Sequence, residues 1–247
     1  MQGRHNKASN HSNLAYITQK LNLDKAGPAP PFPLNMPLAL HCLIPSSNAS
    51  IMSQEELTNA LIAAGPSAKV ASLFDFMRAH GGKHYEEEVT QMEHALQTAY
   101  LAGTEQSDPL PVTAALLHDL GHFLADSLGR PINPTKVDDL HENLAADFLQ
   151  AFFPAEVTEP IRLHVVAKRY LCTVDSGYYE SLSAASRKSF HLQGGPMNEE
   201  EKAAFEQHPF YAPALRLRIW DDKAKEVGKD IPELAQYASV VAAALLP

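Results

Sequence analysis

The stretch 114–124, "AALLHDLGHFL", decides the reading of the whole chain. Its alanines and leucines recur at helical spacing, so His118, Asp119 and His122 come at the end of an apolar helix. A carboxylate and two imidazoles there would bring charge to a place where burial is costly. Other polar residues share the same setting. They are His94 in "TQMEHALQTAYLA", His141 in "DDLHENLAADFL", His164 in "IRLHVVAKRYL" and Asp221 in "LRIWDDKAK". Each stands among apolar neighbours, so each shares the buried face of its own helix. A lone histidine on such a face is ordinarily a core residue with a partner. Repetition on separate helices would demand a separate partner every time, whereas one metal centre satisfies all of them together.

The ligand set is then four histidines, His94, His118, His141 and His164, with two aspartates, Asp119 and Asp221. Imidazole mixed with hard oxygen suits iron, manganese or zinc, and the lack of thiolate argues against a structural zinc knot. The set is larger than one catalytic metal with an open position takes. Two metals sharing a carboxylate fit it, with Asp119, beside His118, as the bridge.

Around this set the chain reads as all-α. Candidate helices are 54–64, 67–79, 88–105, 111–125, 138–152, 157–170, 199–206, 211–224 and 232–245. "SDP" at 107–109 supplies a cap and turn before the fourth. Leu140, Leu144, Phe148 and Phe152 form an i, i+4 stripe expected to face the core. No segment alternates with period two, and no fixed repeat appears. The stretch 171–198 reads as one long irregular connection, of a kind that is usually functional or disordered. Residues 1–52, with "GPAPPFPLNMPL" at 27–38, read as a disordered or loosely attached, dispensable extension, and 53–247 as the catalytic domain. Arg4, Lys7 and Lys20 precede the first acid, Asp24, a pattern compatible with a targeting segment or with plain disorder.

Composition sets outer bounds. With 247 residues, 45% hydrophobic, the chain can bury a substantial single core. Its 20 basic and 29 acidic residues give a net charge of −9, which argues against nucleic acid as a partner. Cys42 and Cys172 are too few for a disulfide framework, so a reducing, cytoplasmic setting is the default. No apolar run approaches the ~20 residues that span a bilayer. Oligomeric state is not legible.

The order H…HD…H…H…D resembles the dinuclear members of the HD-domain superfamily. More narrowly, "EEEVTQMEHALQTA", "LLHDLGH", "HVVAKRYL", "SAASRKSFHLQGGPM" and "RIWDDKAK" resemble the mixed-valent diiron oxygenases that cleave 1-hydroxyphosphonates, over about residues 80–225. The resemblance implies an enzyme holding two iron ions (Fe2+/Fe3+). With O2 as co-substrate, it would break a carbon–phosphorus bond to give phosphate and a carboxylic acid. It implies that His122, Lys168, Ser186, Ser189 and Arg218 grip the phosphonate. It also implies a tyrosine lid over one metal, held by a glutamate. Glu87 matches that glutamate by its distance from His94; the aligned place of the tyrosine falls on His84, and Tyr85 next to it is assigned the lid.

The residues themselves are consistent with an anion site. His122 lies one turn after His118, Lys168 one turn after His164, and Arg218 three residues before Asp221, and Arg and Lys bind phosphate-like groups. Without the resemblance, Lys168 and Arg218 also read as solvated charges, Ser186 and Ser189 as turn residues, and Glu86–Glu88 as an acidic first turn. Tyr178 and Tyr179 are candidates for the far end of the pocket, where an ammonium tail could rest on a ring. His80, His191 and His208 read as structural or surface residues, and Trp220 as core. Two alternatives remain for the same ligands: a metal-dependent phosphohydrolase acting on a phosphate ester, and a diiron polyol oxidase similar to myo-inositol oxygenase.

Overall fold

The computed structural model describes residues 52–84, 87–129 and 140–247. The extension expected over 1–52 therefore lies, save for Met52, outside the described residues. Among those described there is no strand, and no helix is long and apolar enough to cross a membrane.

The chain opens with α1 (Gln54–Ala63), whose Ser53 and Glu56 form a reciprocal cap. Helix α2 (Pro66–His80) starts on a proline at its first position. Helix α3 (Gln91–Glu105) is capped in the same reciprocal way by Thr90 and Glu93. Helix α4 (Pro109–Leu117) is capped by the Asp108 side chain, so it starts two residues before the sequence reading placed it. It also ends earlier. The expected helix 111–125 breaks at His118 and Asp119, and α5 (Leu120–Ser127) resumes beyond them. The break places both candidate ligands at a junction between two helices rather than on one continuous helical face.

Helix α6 (His141–Leu149) begins on a candidate ligand, His141. The residue before it, Leu140, has φ 51°, left-handed backbone that a non-glycine residue adopts at a cost. Leu140 is exposed, and the buried face of α6 consists of His141, Glu142, Ala145, Ala146 and Leu149. The expected stripe of Leu140, Leu144, Phe148 and Phe152 is therefore corrected in part: Phe152 is buried in the core as expected, while Leu140 is exposed. Leu144 and Phe148 pack only partly against the core, and small alanines take the inner face so that α6 can approach closely.

Helix α7 (Ala155–Val174) packs most extensively against α11 (Tyr211–Lys223). The stretch 171–198 is not one irregular connection. It continues α7 and then forms α8 (Ser176–Ser181), capped by Asp175, and α9 (Ala184–Leu192), capped by Ser183. Both are too short to show a helical period. Helix α10 (Glu199–Glu206), a 3-10 turn at Leu234–Tyr237 and α12 (Ala238–Ala244) complete the order.

Two apolar clusters hold the bundle. One joins Phe76, Phe123, Phe153, Ile161 and Trp220 with their neighbours; the other joins Leu171, Tyr178, Phe205 and Leu215. Helices α7 and α11 contribute to both, and His164 lies on α7 between Ile161 of the first and Ala167 of the second. Trp220 is core, as its sequence setting indicates.

Candidate metal centre

The six residues singled out as ligands converge. His94 comes from α3, His118 and Asp119 from the α4–α5 junction, His141 from the start of α6, His164 from α7 and Asp221 from α11. They divide into two groups about one carboxylate. In the first, His94 Nε2 lies 3.2 Å from His118 Nε2 and 3.2 Å from Asp221 Oδ1. In the second, His141 Nε2 lies 3.1 Å from His164 Nε2. Asp119 Oδ2 is 3.6 Å from His94 and 3.5 Å from His118, while Oδ1 is 3.5 Å from His141 and 3.8 Å from His164. Each oxygen of Asp119 thus serves one imidazole pair, and these residues form two clusters with metal-ligand spacing.

The tautomers make the case for cations. His94 Nδ1 donates to the carbonyl of Ala224 at 2.9 Å, His118 Nδ1 to that of Ala115 at 2.9 Å, and His164 Nδ1 to that of Ile161 at 2.7 Å. A carbonyl only accepts, so Nδ1 carries a proton, and in the neutral imidazole the Nε2 lone pair faces inward. His94 and His118 then turn lone pairs toward each other, an arrangement that a cation between them makes favourable. In the second pair, His141 has the Glu142 carboxylate 3.5 Å from its Nδ1, the outer partner that raises a ligand's basicity. Burial raises the Asp119 carboxyl, but His118, His122, His141 and His94 together outweigh it and hold the group far below the usual carboxylate range. Burial, with His141 and His118 nearby, pushes His164 well below the ordinary imidazole value. Both groups are therefore in the deprotonated state that metal binding requires.

Close packing brings the second pair in. A Cβ on Gly121 would lie 2.0 Å from the carbonyl oxygen of His141, so glycine is what lets the starts of α5 and α6 meet. The His122 ring stacks on His141 with centroids 4.1 Å apart.

A cavity of about 90 Å3 opens over the candidate ligands. The sequence-assigned residues Glu87, His122, Lys168, Ser186, Ser189 and Arg218 all line it. Tyr85, assigned the lid, lies outside the described residues; His84 is exposed. Tyr178 and Tyr179 do not line it. Tyr178 is buried and donates its hydroxyl to Asp222, and Tyr179 packs on Phe190 and His191. Lys168 is buried and donates to Ser189 Oγ at 2.8 Å. Arg218 is buried between Asp221 and Asp222, ion-paired to both.

Sequence reading missed three participants. Lys225 lines the cavity and bonds Glu87, Ser183 and Ser186; its place just past the end of α11, close in sequence to Asp221, was the available signal. Glu142 and Gly121 were the others, each adjacent in sequence to a named histidine. Outside the site, His80 is a buried structural residue held by Asp126 and the carbonyl of Met52.

No protein-family model matches the chain. Three curated proteins are similar to it. Hydroxymethylphosphonate dioxygenase of Gimesia maris is 49% identical over 180 residues, covering 73% of this chain and 90% of that protein. The [1-hydroxy-2-(trimethylamino)ethyl]phosphonate dioxygenase (glycine-betaine-forming) of Leisingera caerulea is 37% identical over 172 residues, covering 70% and 86% respectively. An uncharacterized protein of Acanthamoeba polyphaga mimivirus is 35% identical over 181 residues, covering 70% and 80%.

Proposed function

Because the chain belongs to the HD-domain dioxygenases that cleave the carbon–phosphorus bond of hydroxyphosphonates, we propose that it acts on a short 1-hydroxyphosphonate with two iron ions as its metals. Dioxygen is the co-substrate, and the products are phosphate and a carboxylic acid. Dioxygen supplies the oxygen gained by each product. The observation that carries this reading is the division of Asp119, one oxygen to each imidazole pair.

The ligand chemistry fits iron. His94, His118 and Asp221 with one Asp119 oxygen would hold one ion, and His141 and His164 with the other oxygen would hold the second. Mixed imidazole and carboxylate is a donor set that iron accepts. When bound, the metals supply the redox chemistry and the Lewis acidity that draws the substrate's hydroxyl and a phosphonate oxygen. The protein does the rest. Lys168 brings a cation to the anionic head, Ser186 and His122 add polar atoms, and burial of the ligands keeps the reacting carbon away from bulk water.

The cavity lining and the Gimesia maris relative support a substrate without a bulky cationic tail. That relative, 49% identical over 90% of its own length, is named for hydroxymethylphosphonate, which supports a one-carbon hydroxyphosphonate here. Among the described lining residues none is Phe, Tyr or Trp, so nothing described offers the ring faces that a trimethylammonium tail favours. A reducing cytoplasm fits a chain with two widely separated cysteines.

The test is anaerobic reconstitution with ferrous iron, followed by oxygen and either hydroxymethylphosphonate or a longer-tailed analogue. Oxygen-dependent phosphate release, faster with the one-carbon substrate, is the expected result. Phosphate release from esters without oxygen uptake would overturn the reading in favour of a hydrolase.

A further inference from the structure

The two cavity serines are held in opposite hydrogen-bonding states. Ser189 Oγ accepts from Lys168 Nζ at 2.8 Å and donates its own proton to the carbonyl of Ser186 at 3.1 Å. It has no proton left for a ligand. Ser186 Oγ accepts from Lys225 Nζ at 2.9 Å, and its own proton has no acceptor among the described residues. Ser186 is 7% exposed and lines the cavity. A hydroxyl whose oxygen already receives a cationic donor is polarised, and its O–H is the stronger donor for it.

Lys225 is fully occupied in doing this. An ammonium has three protons, and here the partners are Glu87 Oε1 at 2.7 Å, Ser183 Oγ at 3.2 Å and Ser186 Oγ at 2.9 Å. Ser183 in turn donates to Glu87 at 2.6 Å and accepts from the Ser186 N–H at 3.1 Å. The lysine thus ties the segment before α3 to the first turn of α9 from a position just after α11. Glu87 neutralises its charge. Lys168, by contrast, has no carboxylate in ion-pair contact among the described residues, and Arg218 is already paired with two.

We propose that Lys225 is a positioning residue for oxyanion binding: by occupying the Ser186 oxygen it turns the Ser186 hydroxyl proton toward the anionic head of the substrate. Ser189 does the matching task for Lys168. The cavity therefore presents one neutral donor, Ser186, and one cation, Lys168, each held by a partner that does not itself touch the ligand. This rests on the phosphonate reading above.

The experiment compares Lys225→Met, Ser186→Ala, the double variant and Lys225→Arg in iron-loaded protein. It measures KM and kcat for hydroxymethylphosphonate and, by calorimetry, binding of inorganic phosphate. Each single loss should raise KM and the phosphate Kd about tenfold, a hydrogen bond to a charged group, with metal content unchanged. The double variant should be no worse than about tenfold, because both changes remove one interaction. Lys225→Arg, which keeps donors for Ser186, should stay within about threefold of the starting protein. A multiplicative, roughly hundredfold loss in the double variant, or an unchanged KM in Lys225→Met, overturns the inference. Starting protein that neither turns over the phosphonate nor binds phosphate removes the functional reading and this inference together; multiplicative variants in an otherwise active enzyme remove the inference alone.

Discussion

Arg218 and Asp221 form a buried ion pair, Nη1 to Oδ2 at 2.7 Å. The same guanidinium reaches Asp222 through Nε at 2.9 Å and through Nη2, and Asp222 also accepts the Tyr178 hydroxyl. Each nitrogen of Arg218 therefore faces a carboxylate. Although Arg218 lines the cavity, this arrangement makes it a support of Asp221, a candidate metal ligand.

Removing that support should be expensive in metal-free protein. Arg218→Leu leaves two buried carboxylates without their cation, a loss of about 3–5 kcal/mol for a broken buried pair. Adding metal should recover part of it, because a cation at Asp221 replaces some of the missing charge. Thermal unfolding with and without metal measures both quantities. A loss below about 1 kcal/mol, the level of a surface pair, would mean that the pairing does not hold Asp221.

Gly121→Ala tests the contact between α5 and α6. Its new Cβ would lie 2.0 Å from the His141 carbonyl oxygen, and backbone rather than a flexible side chain would have to move. Destabilisation should reach or exceed the ~1–3 kcal/mol typical of overpacking, and bound metal should fall from two ions toward one as His141 is displaced. Denaturant unfolding and metal analysis check this; a stable variant with full metal content contradicts it.

Lys168 should give substrate affinity a pH dependence. Burial first, and then Arg218 nearby, push its ammonium down to about 8. Below that pH the group is charged and attracts the phosphonate; raising the pH through about 8 removes the charge. KM should therefore climb on the alkaline side, by up to about tenfold for a lost charge-assisted hydrogen bond. In Lys168→Arg the climb should vanish from the accessible range, since guanidinium stays protonated. KM that stays flat through this range in the unaltered enzyme would contradict the assignment.

The convergence of the candidate ligands was legible because each stands among apolar helical neighbours in the sequence, a pattern that survives without coordinates. His94 and His164 are the clear cases. Residues defined by what lies across the fold were not legible. Lys225 looks like any solvated lysine until Glu87, Ser183 and Ser186, distant in sequence, close around it. Gly121 reads as a weak helix position until the backbone of α6 is seen against it. The stripe on Leu140, Leu144 and Phe148 misled because bulk marks the core only when helices stand apart; α6 comes close and buries Ala145 and Ala146 instead. Helices α8 and α9 were missed since neither is long enough for periodicity to show, although Asp175 and Ser183 carry their caps in plain view.

The most direct measurement is anomalous scattering at the iron edge from crystals grown anaerobically with ferrous iron. Two peaks are expected, one against His94, His118 and Asp221, the other against His141 and His164, with Asp119 touching both. A single peak, or two peaks of which either lies away from Asp119, would contradict the shared centre.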